Sequence, residues 1–318
     1  MNIKRYIHNL FHHRSDSATR EREIIRLTKE TSSKMSALLR QQAINIYNQA
    51  FLEGNYGLTE DKLCESEVII SLTTFGSRIE KVYLTIESIM QGVVKPKRII
   101  LWLAKDDFCM ETIPATLLKQ KERGLQIEFC EDIRSYKKLI LTLKKYPEAC
   151  IVTIDDDVMY DIDFLDKLLR THKQHPKNVL VNVARQIVVE NGKVQSYIHW
   201  PHVANEAKIE TPYIIGIEVG GILYPAHSLH EEVLNQEAFM KLCPYGDDIW
   251  FYAMAIKNHT QTMKSPTNHV DGDFVDIYDE SLETLSIQNT SAEDNRNDKQ
   301  FKAVFDKYQL WEMLKYDK

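Results

Sequence analysis

The stretch Ala-Cys-Ile-Val-Thr-Ile-Asp-Asp-Asp-Val, residues 149–158, joins a short apolar run to three adjacent carboxylates. Residues 149–154 have the length and the β-branched side chains of a buried strand. The side chains of Asp155, Asp156 and Asp157 repel one another, so we expect a cationic partner, for which a divalent metal ion bridging to a diphosphate is the obvious candidate. The alternative is a solvated acidic turn in which one aspartate caps the following helix.

The sequence around this stretch alternates strand-length apolar runs with helical segments. We predict strands at residues 68–72, 98–103, 125–129 and 149–154, and helices at 79–91, 135–146 and 164–172. Strands separated by helical crossovers predict an α/β fold, with a Rossmann-like, mostly parallel sheet and helices on both faces. Ligands of such sheets bind beyond the carboxyl ends of the strands, and the three aspartates lie at such an end.

The composition is that of a globular protein and excludes several other classes. Of the 318 residues, 43% are apolar and 27% are charged, values that do not fit an intrinsically disordered chain. The net charge of −6 argues against a nucleic-acid-binding protein, so no nucleic-acid partner is expected. The five cysteines form no CxxC pair and no Cys/His cluster of zinc spacing, which argues against a disulfide framework or a structural zinc site. Free thiols and the lack of an 18-residue apolar stretch predict a cytoplasmic protein.

Residues 1–60 differ from the rest of the chain in charge and in pattern. Residues 1–50 carry nine basic and four acidic side chains, and helical periodicity continues until Gly54 and Gly57 interrupt it. One predicted helix face carries Ile3, Tyr6, Ile7, Leu10 and Phe11. Candidate buried positions further along the helix include Met35, Leu38, Leu39 and Ile46. Such a helix fits peripheral contact with an anionic membrane, and equally a helix docked on its own domain or on a second subunit of a homo-oligomer.

Two later motifs add candidate residues. Gly220-Gly221 interrupts the apolar run 214–223, where glycine marks either a bulge or the close approach of a ligand. Asp247-Asp248 begins a predicted helix, a position where acids are common because they complement the helix dipole. A carboxylate is also the kind of group that takes a proton from a hydroxyl nucleophile, so either reading is open from the residues alone.

Over residues 68–308 the chain resembles the nucleotide-sugar glycosyltransferases of the GT-A fold, in particular bacterial members akin to glycosyltransferase family 2. The motifs that carry the resemblance are, in order, residues 69–75 with Ser77-Arg78, the helical stretch 84–91, residues 151–157 as a DXD motif, Gly220-Gly221 and Asp247-Asp248. The resemblance divides the chain into an N-terminal helical segment (1–60), a nucleotide-sugar-binding half (61–180), an acceptor-binding half (181–290) and a C-terminal helix (291–318).

The resemblance also implies the residues that hold the donor and the metal ion. The donor-binding residues would be Thr73, Thr74, Arg78, Lys138, Asp155, Asp156, Gly220 and Gly221. Asp157 would bind Mn²⁺ or Mg²⁺ held by the two phosphates, with His269 as a further metal ligand. For Lys138 the alternative is a solvated helix face shared with Lys144 and Lys145, and for His269 it is a structural histidine.

For the transfer step, the resemblance implies Asp248 as the general base, with Asp247 holding the acceptor or the local structure. Trp250 would form part of an apolar wall for an acceptor sugar, with core packing as the alternative. A sugar hydroxyl is a poor nucleophile while neutral, so direct displacement requires a carboxylate within hydrogen-bond reach.

The resemblance thus implies an inverting, metal-dependent glycosyltransferase that moves a sugar from a nucleoside-diphosphate sugar, with UDP favoured, to a hydroxyl of a saccharide or glycolipid acceptor. Surface polysaccharide or lipopolysaccharide synthesis at the cytoplasmic face of the membrane is the expected setting. A sugar nucleotidyltransferase is the alternative enzyme, but such enzymes are expected to carry a glycine-rich loop after the first strand, and residues 73–78 hold one glycine. A non-catalytic, membrane-associated module of the same fold is the remaining alternative.

Overall fold

The computed structural model describes residues 3–204, 210–278 and 295–314, and the side chains from residue 26 onward except those of 210 and 211. Its helices are α1 (Ile3–Glu53), α2 (Val82–Met90), α3 (Ala115–Glu122), α4 (Lys137–Lys145), α5 (Phe164–Gln174), α6 (Gln236–Leu242), α7 (Asp247–Lys257) and α8 (Arg296–Tyr308). Its strands are β1 (Val68–Thr73), β2 (Arg98–Ala104), β3 (Leu125–Cys130), β4 (Cys150–Thr153), β5 (Val158–Tyr160), β6 (Val179–Val181), β7 (Ala184–Gln186), β8 (Val189–Glu190), β9 (Lys193–Val194), β10 (Glu210–Thr211), β11 (Ile214–Gly216), β12 (Ile222–Tyr224), β13 (Thr262–Lys264) and β14 (Phe274–Asp276).

The chain forms two compact units, Met1–Ile46 and Tyr47–Lys318, and the first consists of the N-terminal part of α1. The predicted apolar face formed by Ile3, Tyr6, Ile7, Leu10 and Phe11 lies outside the residues whose side chains are described. Further along α1, Met35, Leu38, Leu39 and Ile46 are between 49% and 63% exposed. Helical periodicity identifies an apolar face but not what covers it, so the burial of these four side chains stays a prediction.

The second unit is built on one large sheet. Among the described residues, eight strands pair in the order β10-β13-β6-β12-β4-β1-β2-β3. The strands β3, β2, β1 and β4 are mutually parallel, as are β6 and β13, whereas β12 runs antiparallel between β4 and β6. The predicted α/β class with a mostly parallel sheet is therefore confirmed. The sequence halves 61–180 and 181–290 share this sheet, because β12 of the second half lies between β4 of the first half and β6, which crosses the boundary.

Helices cover both faces of the sheet, as the alternation of side chains along β1 makes clear. Ile69 packs into an apolar cluster with Leu139 and Ile140 of α4, while its neighbour Ile70 packs with Ile86 of α2 on the other face. Both β1 residues are fully buried. In the part of the chain that the structure describes, no helix is long and apolar enough to cross a membrane.

Candidate active site

The three consecutive aspartates lie where β4 leaves the sheet, between β4 and β5. The backbone N–H of Asp155 donates to the hydroxyl of Tyr160 (3.1 Å), and that hydroxyl donates to the carbonyl oxygen of Val219 (2.9 Å). These bonds fix the chain at the point where it turns. The three carboxylates then have different environments: Asp156 is buried, whereas the side chains of Asp155 and Asp157 are partly exposed.

Asp156 is held by two residues from the segment that follows β1. Thr74 Oγ1 donates a hydrogen bond to Asp156 Oδ2, and a guanidinium nitrogen of Arg78 lies 2.8 Å from Asp156 Oδ1. Burial raises the pKa of Asp156, while Arg78 and Thr74 oppose that shift by stabilising the charged form. The structure thus brings together three residues that the sequence analysis assigned to donor binding.

Only one of the two carboxylate oxygens of Asp157 has a partner among the described residues. Its Oδ2 lies 2.9 Å from the same Arg78 nitrogen, but its Oδ1 is buried and has no hydrogen-bond partner among the described residues. Burial, together with the charges of Asp155 and Asp156, raises the pKa of Asp157 to about 7. A buried, unpartnered carboxylate oxygen beside other acids is costly without a cation. The oxygen donors present therefore fit a hard divalent ion such as Mg²⁺ or Mn²⁺.

Asp276, which the sequence analysis missed, lies beside this group. In the antiparallel pair β5–β14, Asp276 is opposite Val158, and the N–H of Ile277 donates to the carbonyl oxygen of Asp157 (2.8 Å). The charge of Asp276 contributes to the raised pKa of Asp157. Asp276 is 119 positions from Asp157 in the sequence, so no local spacing links the two acids.

Lys138 joins this cluster to a second group of acids. Its Nζ lies 2.8 Å from Asp155 Oδ1, 3.2 Å from Asp247 Oδ2 and 3.4 Å from Glu218 Oε2. Burial alone would lower the pKa of Lys138, but these carboxylates outweigh burial and raise it well above the usual range. Lys138 is 3% exposed, which excludes the alternative of a solvated helix face for this residue.

The position of Lys138 follows from how α4 is anchored on the sheet. The hydroxyl of Ser71, in β1, donates to the carbonyl oxygen of Lys138 (2.5 Å) and lies 2.7 Å from the hydroxyl of Thr142, one turn further along α4. Two buried hydroxyls thus fix the first turn of the helix beside the carboxyl ends of β1 and β4. Lys138 in turn directs its ammonium group at the acids.

Glu218 is the second functional candidate that the sequence analysis missed. It is 3% exposed, accepts hydrogen bonds from the hydroxyls of Thr153 and Tyr224, and contacts Lys138. Its backbone N–H donates to Asp248 Oδ1 at 3.2 Å. A signal for Glu218 was present in the sequence: an acid inside the apolar run 214–223 must have a partner once it is buried.

Asp248, at the start of α7, has an environment that disfavours its charge. Burial is the largest cause, followed by the charges of Asp247 and Glu218, and together they raise the pKa of Asp248 well above its usual value despite the opposing charge of Lys138. Asp247 is instead the direct partner of Lys138. The structure therefore brings Asp247 and Asp248 into one charged group with Lys138 and Asp155.

The two glycines of the Gly220-Gly221 motif meet core side chains. The apolar run 214–223 contains the strands β11 and β12, with a 3₁₀ turn, Glu218–Gly220, between them. A Cβ on Gly220 would lie 2.4 Å from Val183, and one on Gly221, whose φ is +81°, would lie 2.5 Å from the ring of Phe164. This tight packing is an observed role of both glycines.

We expect Gly221→Ala to lower the free energy of unfolding by about 2–3 kcal/mol, because alanine disfavours this backbone conformation and its Cβ would overlap the Phe164 ring. Chemical denaturation measures the change. Gly192→Ala is the matched control, since Gly192 also has a positive φ (+73°) but open space around it, and it should lose about 1 kcal/mol. Equal losses in the two variants would contradict the packing argument.

Three predicted site residues do not join the charged group. The hydroxyl of Thr73 donates to the carbonyl oxygen of Trp102 (2.8 Å). Trp250 is fully buried, with its indole N–H donating to Val233, so the prediction of an acceptor wall at Trp250 was wrong and core packing is its role. His269 is exposed, and its backbone N–H donates to Asp273 Oδ1 (3.0 Å).

Comparisons with known proteins add little to this geometry. No family model and no curated protein matches the chain. Among solved structures, it is similar to the mannosyltransferase PcManGT from Pyrobaculum calidifontis in complex with GDP-Man and Mn²⁺, with 14% identity, a TM-score of 0.40, and coverage of 74% of this chain and 65% of that one. It is also similar to a CMP:2-keto-3-deoxy-manno-octonic acid synthetase complexed with CTP, with 13% identity, a TM-score of 0.38, and coverage of 66% and 94%. Similarities this distant do not support a function for this chain.

Proposed function

We propose that the chain is a metal-dependent glycosyltransferase, which transfers a sugar from a nucleoside-diphosphate sugar to a hydroxyl group of a saccharide acceptor. One observation carries the proposal: Lys138 links the acids at the end of β4 to the acids at the start of α7 within a single charged group. The first set has the oxygen donors for a metal–diphosphate complex, and the second offers a base for the acceptor.

The metal ion would be held through Asp157, whose Oδ1 lacks a partner among the described residues, with Asp276 as a second carboxylate nearby. Mn²⁺ or Mg²⁺ suits such oxygen donors. When bound, the ion supplies positive charge that offsets the charge developing on the departing diphosphate. The proposal takes Asp276 rather than His269 as the second ligand, because Asp276 lies opposite Val158 in the β5–β14 pair and its neighbour Ile277 donates to the carbonyl oxygen of Asp157.

The nucleotide would bind beside the segment that follows β1. The guanidinium carbon of Arg78 lies 5.0 Å from the centroid of the exposed Phe75 ring. The same carbon lies 5.8 Å from the centroid of the Tyr278 ring. Aromatic faces and a guanidinium plane are surfaces on which a nucleobase can stack. Arg78 is also bound to Asp156 and Asp157, so this surface adjoins the proposed metal position.

Asp248 would act as the general base of the transfer. The acceptor oxygen forms a bond to the anomeric carbon of the sugar, the bond from that carbon to the diphosphate oxygen breaks, and the hydroxyl proton passes to Asp248. Attack opposite the leaving group inverts the anomeric configuration. A carboxylate whose pKa is raised by its surroundings is a stronger base than an exposed aspartate, provided that it is deprotonated when the acceptor binds.

One feature of the segment after β1 argues against the alternative of a sugar nucleotidyltransferase. A sugar nucleotidyltransferase is expected to bind its nucleotide through a glycine-rich loop, but here the segment after β1 continues into a 3₁₀ helix, Gly76–Glu80, with a single glycine. Several finer features of the function remain proposals, because they rest only on the sequence resemblance and on the basic N-terminal segment. They are UDP as the nucleotide, a glycolipid acceptor, surface-polysaccharide or lipopolysaccharide synthesis, contact with the cytoplasmic face of a membrane, and a homo-oligomer.

Nucleotide binding tests this function directly. We expect the melting temperature of the full chain to rise by roughly 3–5 °C with one of UDP, GDP, CDP or ADP when Mn²⁺ is present, because a ligand at 100 times its Kd adds about 2.7 kcal/mol of stability. The rise should disappear with EDTA. Differential scanning fluorimetry gives the result. A protein that responds to none of the four would instead fit a non-catalytic module, and a rise with a nucleoside triphosphate accompanied by pyrophosphate release would favour a nucleotidyltransferase.

A further inference from the structure

Three potential metal ligands meet at the opposite end of β4 from the aspartates. Cys150 is the first residue of β4, Cys64 lies in the segment between α1 and β1, and His172 lies in the last turn of α5. One ligand atom from each residue, two thiol sulfurs and an imidazole nitrogen, lies within 4.8 Å of the other two. Within the described residues, this is the group of at least three histidine, cysteine or acidic side chains whose ligand atoms all lie within 4.8 Å of one another.

The chemistry and spacing of this group match the preferences of zinc. Zinc in proteins is bound by thiolate sulfur and imidazole nitrogen at about 2.3 Å and 2.0–2.1 Å, so the ligand atoms of a tetrahedral site lie about 3.5–3.8 Å apart. The upper limit of 4.8 Å observed here allows that arrangement with small side-chain movements. Thiol and imidazole ligands disfavour Mg²⁺ and Mn²⁺, which prefer oxygen, so this group and the proposed active site select different ions.

The burial of the group provides independent support. His172 is 8% exposed, and its Nδ1 is buried without a hydrogen-bond partner among the described residues. Cys150 is 1% exposed, whereas Cys64 is partly exposed. A buried imidazole nitrogen without a partner is costly, and a metal ion bound through that nitrogen would remove the cost.

We propose that Cys64, Cys150 and His172 bind a zinc ion, with a water molecule as the fourth ligand on the partly exposed side of Cys64. Zinc binding replaces the hydrogen bond that Cys64 Sγ donates to the carbonyl oxygen of Ser66 (3.0 Å), because a thiolate has no proton to donate. The protons of the two thiols are released to solvent as the ion binds.

The site would have a structural role. Residues 61–66, around Cys64, have no regular secondary structure, whereas Cys150 and His172 lie in a central strand and a helix. An ion bound to all three residues would tie this irregular segment to the sheet and to α5. The proposal does not depend on the proposed glycosyltransferase function, since none of the three residues belongs to the active site described above.

The closeness of the two sulfurs also allows a different outcome, because Cys64 and Cys150 could form a disulfide in place of a zinc site. That disulfide is the competing outcome of the test.

Cobalt substitution tests the proposal on the full chain. Protein purified under reducing conditions should bind one zinc ion per chain at this site, and Co²⁺ in its place should give the thiolate-to-cobalt charge-transfer absorption that requires cysteine ligands. Cys64→Ser should weaken zinc binding by more than about 100-fold and remove most of that absorption. His172→Ala should have a similar effect. Cys64→Ser is the main test, because Cys64 is more exposed than Cys150 and His172, so its substitution should disturb the fold least.

Two controls separate this site from the rest of the molecule. Cys109→Ser changes an exposed cysteine elsewhere and should leave the cobalt absorption unchanged. Asp157→Asn should also leave it unchanged, so failure of the proposed active site and failure of the zinc site give different results. An absorption that is absent, or equally strong in Cys64→Ser, overturns the proposal, as does a Cys64–Cys150 disulfide, identified by mass spectrometry, that persists in protein prepared with zinc and reductant.

Discussion

Asp157→Asn is expected to abolish the metal-dependent binding of the nucleotide. The substitution replaces the unpartnered Oδ1 and the negative charge of the carboxylate with a neutral amide, which is a much weaker ligand for a hard divalent ion. Burial and two neighbouring acids already disfavour the charge of Asp157, so the asparagine variant should fold at least as stably as the unmodified chain. Isothermal titration with Mn²⁺ and the responding nucleotide should give no measurable Mn²⁺-dependent affinity.

Asp306→Asn is the matched control, because Asp306 is an exposed aspartate on α8 that pairs with Lys302. It should bind the metal–nucleotide pair as the unmodified chain does. A second check uses pH. Because burial and neighbouring acids raise the pKa of Asp157 to about 7, protons compete with the ion at lower pH. The affinity for Mn²⁺ should therefore fall about tenfold for each pH unit below 7 and should level off above pH 7. Unchanged affinity in Asp157→Asn would remove this residue from the metal site.

The sheet and the position of the three aspartates could be predicted because both depend on local sequence. Apolar runs of strand length separated by helical periodicity specify a parallel sheet, and residues directly after a buried strand necessarily lie at its carboxyl end. The conformation was less predictable where it depends on tertiary packing. The apolar run 214–223 contains the strands β11 and β12 with a 3₁₀ turn between them, and Gly221, which follows that turn, has a φ of +81° and packs against Phe164.

The composition of the charged group could be predicted only in part. Asp155 was identified from its position after a buried strand, and Lys138, Asp247 and Asp248 were identified through a family resemblance. Glu218 and Asp276 were missed, because the fold sets the neighbours of the elements that carry them. Trp250 shows the opposite error: an aromatic residue after an acidic motif has the same appearance in the sequence whether it lies on a surface or, as here, in the core. Family membership itself stays a prediction.

The cysteines illustrate the limit of spacing rules. No CxxC pair or zinc spacing occurs in the chain, and a structural zinc site was therefore not expected. Cys64, Cys150 and His172 nevertheless meet, because β4 pairs with β1, which follows Cys64, and α5 returns over the same sheet. Spacing rules detect sites built within one hairpin or one helix, but a site assembled from three separate elements leaves no local pattern.

Asp248→Asn is expected to lower the rate of sugar transfer by about 10² to 10⁴, the usual contribution of a general base, while leaving donor binding nearly unchanged. The amide keeps the size of the side chain but accepts no proton. Burial, followed by the charges of Asp247 and Glu218, disfavours the ionised form of Asp248, so a neutral amide should not cause loss of the fold. Steady-state rates with a UDP-sugar or other responding donor, together with donor affinity, separate the two effects.

The pH profile distinguishes loss of a base from loss of position. Because its pKa is raised well above the usual aspartate value, Asp248 should give the unmodified enzyme an acidic limb in kcat/KM, and this limb should disappear in Asp248→Asn. Asp61→Asn, an exposed aspartate before β1, is the control and should retain both rate and profile. Asp247→Asn should behave differently from Asp248→Asn, since Asp247 contacts Lys138 directly and its loss should weaken donor binding as well as transfer. Full activity in Asp248→Asn, or a product that retains the anomeric configuration of the donor, would contradict the assignment of Asp248 as the base of an inverting reaction.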